Sequence, residues 1–209
     1  KSIIRNIDNI YVLDKIPDYE PHKETSLGSK AKKLNREIND YIYDILLEDD
    51  GNSLLYYPIG NYLDYSLEAS LEMISSDHTL LGLGDGGAHC ATICDASFTT
   101  HMLTFWGRDR TRGKKLDLPW IIKSYTRDNA LAIGLEDRGL IKEGMKADIN
   151  IIDFNNLTLY SPEIRYDLPA GGKRLVQRVD GYKYTIVSGK VTYVDGVSTG
   201  ELPGRLIRS

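Results

Sequence analysis

Thr79-Leu80-Leu81-Gly82-Leu83-Gly84 is a continuous apolar run that stops at Asp85-Gly86-Gly87. A strand covered on both faces of a parallel sheet reads this way, whereas a half-exposed strand alternates apolar and polar residues. Helical patterns lie on either side of it. Asp64 to Ile74 places Leu67, Leu71 and Ile74 on one side, and Phe98 to Trp106 and Pro119 to Ile133 also read as helices. Strands alternating with helices predict βα units and a parallel sheet.

The earlier part of the chain fits that rhythm less regularly. Ile10-Tyr11-Val12-Leu13 reads as a short strand, and Asp14 to Ser29 as a loop broken by Pro17 and Pro21. Residues 30–48 read as one helix, with Leu34, Ile38, Tyr41, Ile42, Ile45 and Leu46 forming an apolar stripe. Ser29 is its expected N-cap, and Asp50-Gly51-Asn52 its stop. Ser53 to Ile59 reads as a strand ended by Pro58 and Gly60.

After Gly144 the texture changes. Ala147 to Phe154 alternates and is rich in Ile. Tyr184 to Val187 and Val191 to Val194 flank Ser188-Gly189-Lys190, a hairpin signal, and Asp195-Gly196 marks another turn. The expected division is 1–144, built of βα units, and 145–209, a small β domain.

Composition excludes several classes. Hydrophobic residues make up 41% and charged residues 27%, an ordinary globular mixture. The net charge of −4 gives no basic surface for nucleic acid. No apolar run approaches the roughly 18 residues of a membrane helix. Cys90 and Cys94 are too few for a disulfide scaffold and point to a reducing, cytoplasmic setting. The opening Lys1-Ser2-Ile3-Ile4-Arg5, with neither Met nor a signal-peptide pattern, reads as the start of an internal piece of a longer polypeptide.

Asp85 is the most informative residue for chemistry. Reactive groups in parallel α/β folds stand at the carboxyl ends of strands, and flanking glycines let a ligand or backbone approach closely. The competing reading is a plain Asp-Gly-Gly turn. Asp85, His89, Cys90 and Cys94 are all zinc-type ligands. Against this, no second Cys or His cluster completes the usual set, and Cys94 also suits a small buried position. His22 and His78 read as solvated, and His101 as a structural residue on an amphipathic helix. Trp106 to Arg112 carries Arg108, Arg110 and Arg112. Arginine suits carboxylate or phosphate recognition, and a solvated loop of Arg–Asp pairs is the alternative. A P-loop, a dinucleotide fingerprint, a G-x-S-x-G elbow and an HExxH helix are absent from the sequence.

Thr126-Arg127-Asp128-Asn129-Ala130-Leu131-Ala132-Ile133-Gly134-Leu135, Asp137-Arg138-Gly139-Leu140-Ile141, Gly144 and Ala147 to Asp153 together resemble the closing signature of the amidohydrolase superfamily. Further motifs narrow the match: Gly82 to His89, Ile93 to Phe98, Trp106 to Arg110, Asp167 to Gly172, and Gly200 to Leu206. In this order they are similar to the carboxyl-terminal part of the N-acyl-D-amino-acid deacylase (D-aminoacylase) group, over roughly residues 18–209.

That resemblance implies the carboxyl-terminal portion of a TIM-like (β/α)8 barrel followed by a small β domain. It implies a site at the barrel mouth that holds one or two zinc ions in the complete enzyme, with a His-x-His pair from earlier strands. This chain has no His-x-His, and Cys90 departs from the family pattern. A full barrel takes about 250 residues, so a missing amino-terminal barrel segment is the expected partner. This piece alone is expected to hold no zinc tightly and to be inactive. The implied reaction is hydrolysis of a small-molecule amide, an N-acyl-D-amino acid or a related compound. Asp85 is the expected catalytic residue, and its direct contact with the metal is left open. Arg108 or Arg110 is the candidate partner for the substrate carboxylate, and homo-oligomerisation is left open. The alternative is a non-catalytic structural or interaction module.

Overall fold

A computed structural model describes residues 7–62, 64–82, 84 and 89–207. Helices and strands are mixed, and the chain forms two compact units, Lys1–Asp77 and His78–Ser209. The change of texture at Gly144 falls inside the second unit. No helix among the described residues is long and apolar enough to cross a membrane.

In the first unit, strand β1 (Tyr11–Val12) pairs antiparallel with β2 (Leu55–Tyr56), Tyr11 opposite Tyr56. Helix α1 spans Leu27–Lys33 and α2 spans Ile38–Leu47. The single helix expected over 30–48 is therefore two helices. Asn35 adopts φ +51, a left-handed conformation that Asn tolerates better than most residues and that no continuing helix allows. Glu37 then restarts the chain, its carboxylate accepting from the backbone N–H groups of Asn39 and Asp40. The first cap is Ser26 rather than Ser29: its hydroxyl oxygen accepts from the Ser29 N–H at 3.1 Å. Leu34 ends α1 and leaves the apolar stripe, 58% exposed. Ile10, Leu27 and Ile45 form the centre of this unit, with Ile38, Ile42 and Leu55 packed around them. Helix α3 begins only at Glu68 and runs to Ile74.

The second unit opens with the apolar run. Thr79–Gly82 and Gly84 belong to no strand, and every strand pair among the described residues is antiparallel. The parallel sheet expected around this run is not assembled among the described residues. A sheet-central strand needs a neighbour on each side to satisfy its backbone groups.

Two helices follow. The first starts as α4 (Phe98–His101) and continues through Met102–Asp109 in wider π turns. The second starts as α5 (Leu118–Lys123), passes through π turns over Ser124–Asp128 and finishes as α6 (Asn129–Ala132). Asp117 caps it by accepting from the Trp120 N–H, and Pro119 occupies the first turn, where no intrahelical N–H is needed. Gly134, at φ +75, terminates it. Ile121 is fully buried and touches the first helix at Gly107, where a Cβ would lie 3.1 Å from its Cδ1.

The β part comprises β3 (Ile149–Ile152), β4 (Thr158–Leu168), β5 (Gly172–Asp180), β6 (Tyr182–Val187), β7 (Lys190–Val194) and β8 (Val197–Ser198). Strands β3, β6, β7 and β8 form one antiparallel sheet in that order, while β4 and β5 form a separate long hairpin. Ser188 and Gly189 both have positive φ, +49 and +76, as a two-residue type I′ turn requires. Asp195-Gly196 repeats the device between β7 and β8.

Candidate active site

Asp85 lies outside the described residues, together with Gly86, Gly87 and Ala88. The structure does describe the chain on either side. Upstream, the Leu81 carbonyl accepts from the side-chain amide of Asn129 on α6. Gly84 lies tight against the start of the first helix of this unit: a Cβ there would come within 2.6 Å of both the Asp95 carbonyl oxygen and Phe98 Cδ1. Only glycine lets the backbone pass so close, and that contact fixes the residue directly before Asp85.

Downstream, His89 is exposed and turns the chain at φ +54. Its carbonyl accepts from the N–H groups of Thr92 at 2.7 Å and Ile93 at 3.0 Å. The Cys90 carbonyl accepts from the Leu175 N–H of β5 at 2.7 Å. Ser97 donates its hydroxyl to Gln177, also on β5, and the Gln177 amide donates to the Tyr160 carbonyl at 2.6 Å. The loop between His89 and Ser97 is thus held by a hairpin about 80 residues away in sequence.

The zinc-type residues among those described do not make a ligand set. Cys90 and Cys94 are free thiols and half-buried. Burial, then the neighbouring Asp95 carboxylate, pushes the Cys94 thiol up, which disfavours the thiolate that binds metal. Among the described residues no three His, Cys, Asp or Glu side chains gather closely enough to hold a metal ion. His101 is enclosed and stacks on Phe105 with ring centroids 5.0 Å apart. Desolvation pushes its imidazole down to about 4, so it is neutral at pH 7 and acts as a packing residue.

The arginine knot is structural. A guanidinium has five N–H donors, and Arg108 commits five hydrogen bonds. Two go to the Asp109 carboxylate, and the others to the carbonyls of Phe154, Asn155 and Leu157. The Asp109 bond is also the main reason its charge is held so firmly. Arg110 is 1% exposed, stacks over Trp106 at 4.7 Å and donates to the Lys114 carbonyl at 2.9 Å. Among the described residues both guanidiniums are engaged by the protein's own groups.

A cavity of about 950 Å³ lies between the Leu118–Ala132 helix and β3. Leu103, Ile121, Ile122, Leu140, Ile149 and Ile152 make it largely apolar. Among the described residues, its wall contains no His, Cys or Glu. Asp148, the one carboxylate among its described wall residues, accepts from the Ser188 N–H and pairs with Arg138 and Lys146.

Sequence reasoning singled out Asp85 and missed the polar tethers of the described chain on either side: Asn129, Ser97 and Gln177. Asn129 stands inside the helix signature quoted above, but its partner Leu81 lies 48 residues away. No local pattern announces such a pair.

A model of the Amidohydrolase family matches residues 52–193, about two thirds of the chain. The search of curated proteins and the search of solved structures each found no match.

Proposed function

The chain belongs to the amidohydrolase family, and from that membership we propose that it forms the closing part of a hydrolase that cleaves the amide bond of N-acyl-D-amino acids or close relatives. Hydrolysis is the family's chemistry, and the family is generally metal-dependent. The observation that carries the reading is the extent of the match, which takes in the Gly82–His89 segment, both helices of the second unit and most of its β part. The motif order from Gly82 to Leu206 supports the finer substrate assignment.

In this reading Asp85 is the base. It takes a proton from the attacking water and returns it to the departing amine, as general acid–base catalysis of amide cleavage requires. Zinc is the metal we assign to the complete site. When bound, it polarises the scissile carbonyl and lowers the pKa of water. The described residues do not form its ligand set, so this reading draws the ligands from elsewhere.

The same reading makes residues 1–144 the last βα units of a TIM-like barrel, 145–209 part of a small β domain, and an amino-terminal barrel segment the partner. Large apolar side chains left in water favour such a partner: Ile59 is 80% exposed, Ile133 74% and Ile141 86%. The free cysteines favour a reducing, cytoplasmic setting.

The test is turnover of matched N-acetyl-D- and N-acetyl-L-amino acids by the complete polypeptide, with metal content measured on the same sample. Release of the free D-amino acid with zinc present supports the reading. Turnover restricted to another amide class removes the substrate assignment. No hydrolysis of any amide returns the chain to a structural or interaction role.

A further inference from the structure

The β4–β5 hairpin is longer than the connection between β3 and β6 needs. Two-stranded ribbons are marginally stable by themselves, and this one is anchored at its β5 edge. Leu175 donates its N–H to the Cys90 carbonyl at 2.7 Å. Two residues further on, Gln177 receives the Ser97 hydroxyl and passes its own amide N–H to the Tyr160 carbonyl at 2.6 Å. The hairpin therefore grips both ends of the Cys90–Ser97 loop. That loop leads into Phe98, whose ring and the nearby Asp95 carbonyl leave no room for a side chain at Gly84. The contacts run without a gap from Gln177 through Ser97 and the Asp95–Phe98 turn to Gly84.

We infer that Gln177 is a positioning residue, which fixes the Cys90–Ser97 loop and, through Gly84, the chain entering Asp85. Its described contacts are to Ser97 and Tyr160, and its role is to position rather than to react. This rests on the reading of Asp85 as the base. Gln177 suits the task because one planar amide accepts from Ser97 and donates to Tyr160 at once. Alanine removes both bonds, and glutamate would set a carboxylate against the Tyr160 carbonyl.

The experiment compares the complete polypeptide with its Gln177→Ala, Ser97→Ala and Ser97→Thr variants by amide hydrogen exchange and steady-state kinetics. Asp85→Asn is measured alongside. Each alanine variant should speed exchange over 79–84 and 89–97 by roughly fivefold, the worth of about one hydrogen bond. Exchange in β6 and β7 should not change. Ser97→Thr keeps the hydroxyl and should restore the parental pattern. The alanine variants should lose about tenfold in kcat, as a misplaced group does, with KM held. Unchanged exchange over 79–97, or an equal rise in β6 and β7, overturns the clamp. A near-parental kcat in Asp85→Asn overturns instead the base assignment on which the inference rests.

Discussion

Arg108 donates from its guanidinium to the Leu157 carbonyl at 2.7 Å, joining the end of a helix to the segment that enters β4. Leu157 itself is fully buried. The same guanidinium holds the Phe154 and Asn155 carbonyls and stacks on the Phe154 ring at 5.5 Å. Three backbone acceptors in a turn that no strand serves are satisfied by one side chain.

Arg108→Lys should therefore destabilise the second unit without altering substrate recognition. Lysine keeps the charge but cannot reproduce a planar fork of five donors. Several charge-assisted bonds go at once, and about 2–3 kcal/mol is the expected loss. Thermal melts should show a lowered Tm, while KM for an anionic substrate stays at the parental value. A raised KM with an unchanged Tm would place Arg108 at the substrate after all.

Much of the second unit was legible in sequence because its signals are local. Pro119 and Gly134 bound one helix, although its cap, Asp117, was not read, and Ser188-Gly189 fixes the β6–β7 turn through two positive φ angles. The β4–β5 hairpin was not legible. Glu163, Arg165 and Asp167 do alternate with Ile164, Tyr166 and Leu168, but Pro162 interrupts β4 and Pro169-Ala170-Gly171 is not a two-residue hairpin turn. Cross-strand pairs such as Asp167–Arg174, 2.7 Å apart, hold it instead. In the first unit the 30–48 helix misled because a stripe of period 3.6 continues across Asn35, where only the backbone breaks. At the candidate site Asp85 was singled out from the end of an apolar run and lies outside the described residues, while the side chains that hold the described chain on either side come from 129 and 177.

Gly84→Ala should be far more damaging than an exposed glycine replacement. The new methyl would meet the Asp95 carbonyl oxygen and the Phe98 ring at 2.6 Å, and the carbonyl belongs to the backbone, so the segment must move. Overpacking of this kind costs about 1–3 kcal/mol. Gly204→Ala, with nothing within 4 Å of the added carbon, serves as the control and should be neutral. Chemical denaturation of the pair measures the difference, and equal midpoints would show that Gly84 has room to spare.

His101 predicts a pH dependence. Its imidazole is pushed from 6.5 to about 4 in the folded chain by desolvation. The unfolded chain binds this proton near pH 6.5, the folded chain only near pH 4. Between those values the unfolded state holds more protons, so stability falls as pH falls. The contribution is complete above about pH 6.5, and its loss levels off below about pH 4, at on the order of 3 kcal/mol. Denaturant midpoints measured at pH 7 and pH 5 should differ, and His101→Phe should narrow that difference. An unaltered pH slope in the Phe variant would assign the effect to other groups.

Asp85→Asn separates the three roles open to this residue. Asparagine keeps the size and polar shape of the carboxylate but cannot accept a proton. If Asp85 moves the proton, kcat in the complete enzyme should fall by about 10²–10⁴. KM should stay near its parental value, because an interaction made only as the proton moves does not contribute to substrate binding. Metal content should persist, since the ligands come from elsewhere in this reading. A turn residue behaves differently: Asn favours the same conformations as Asp, and activity would survive. A principal metal ligand behaves differently again, with metal and activity falling together, because a neutral amide is a poorer ligand than a carboxylate. Kinetics and metal analysis on one preparation distinguish the three. A normal kcat removes Asp85 from the mechanism, and a joint loss of metal and activity reassigns it from base to ligand.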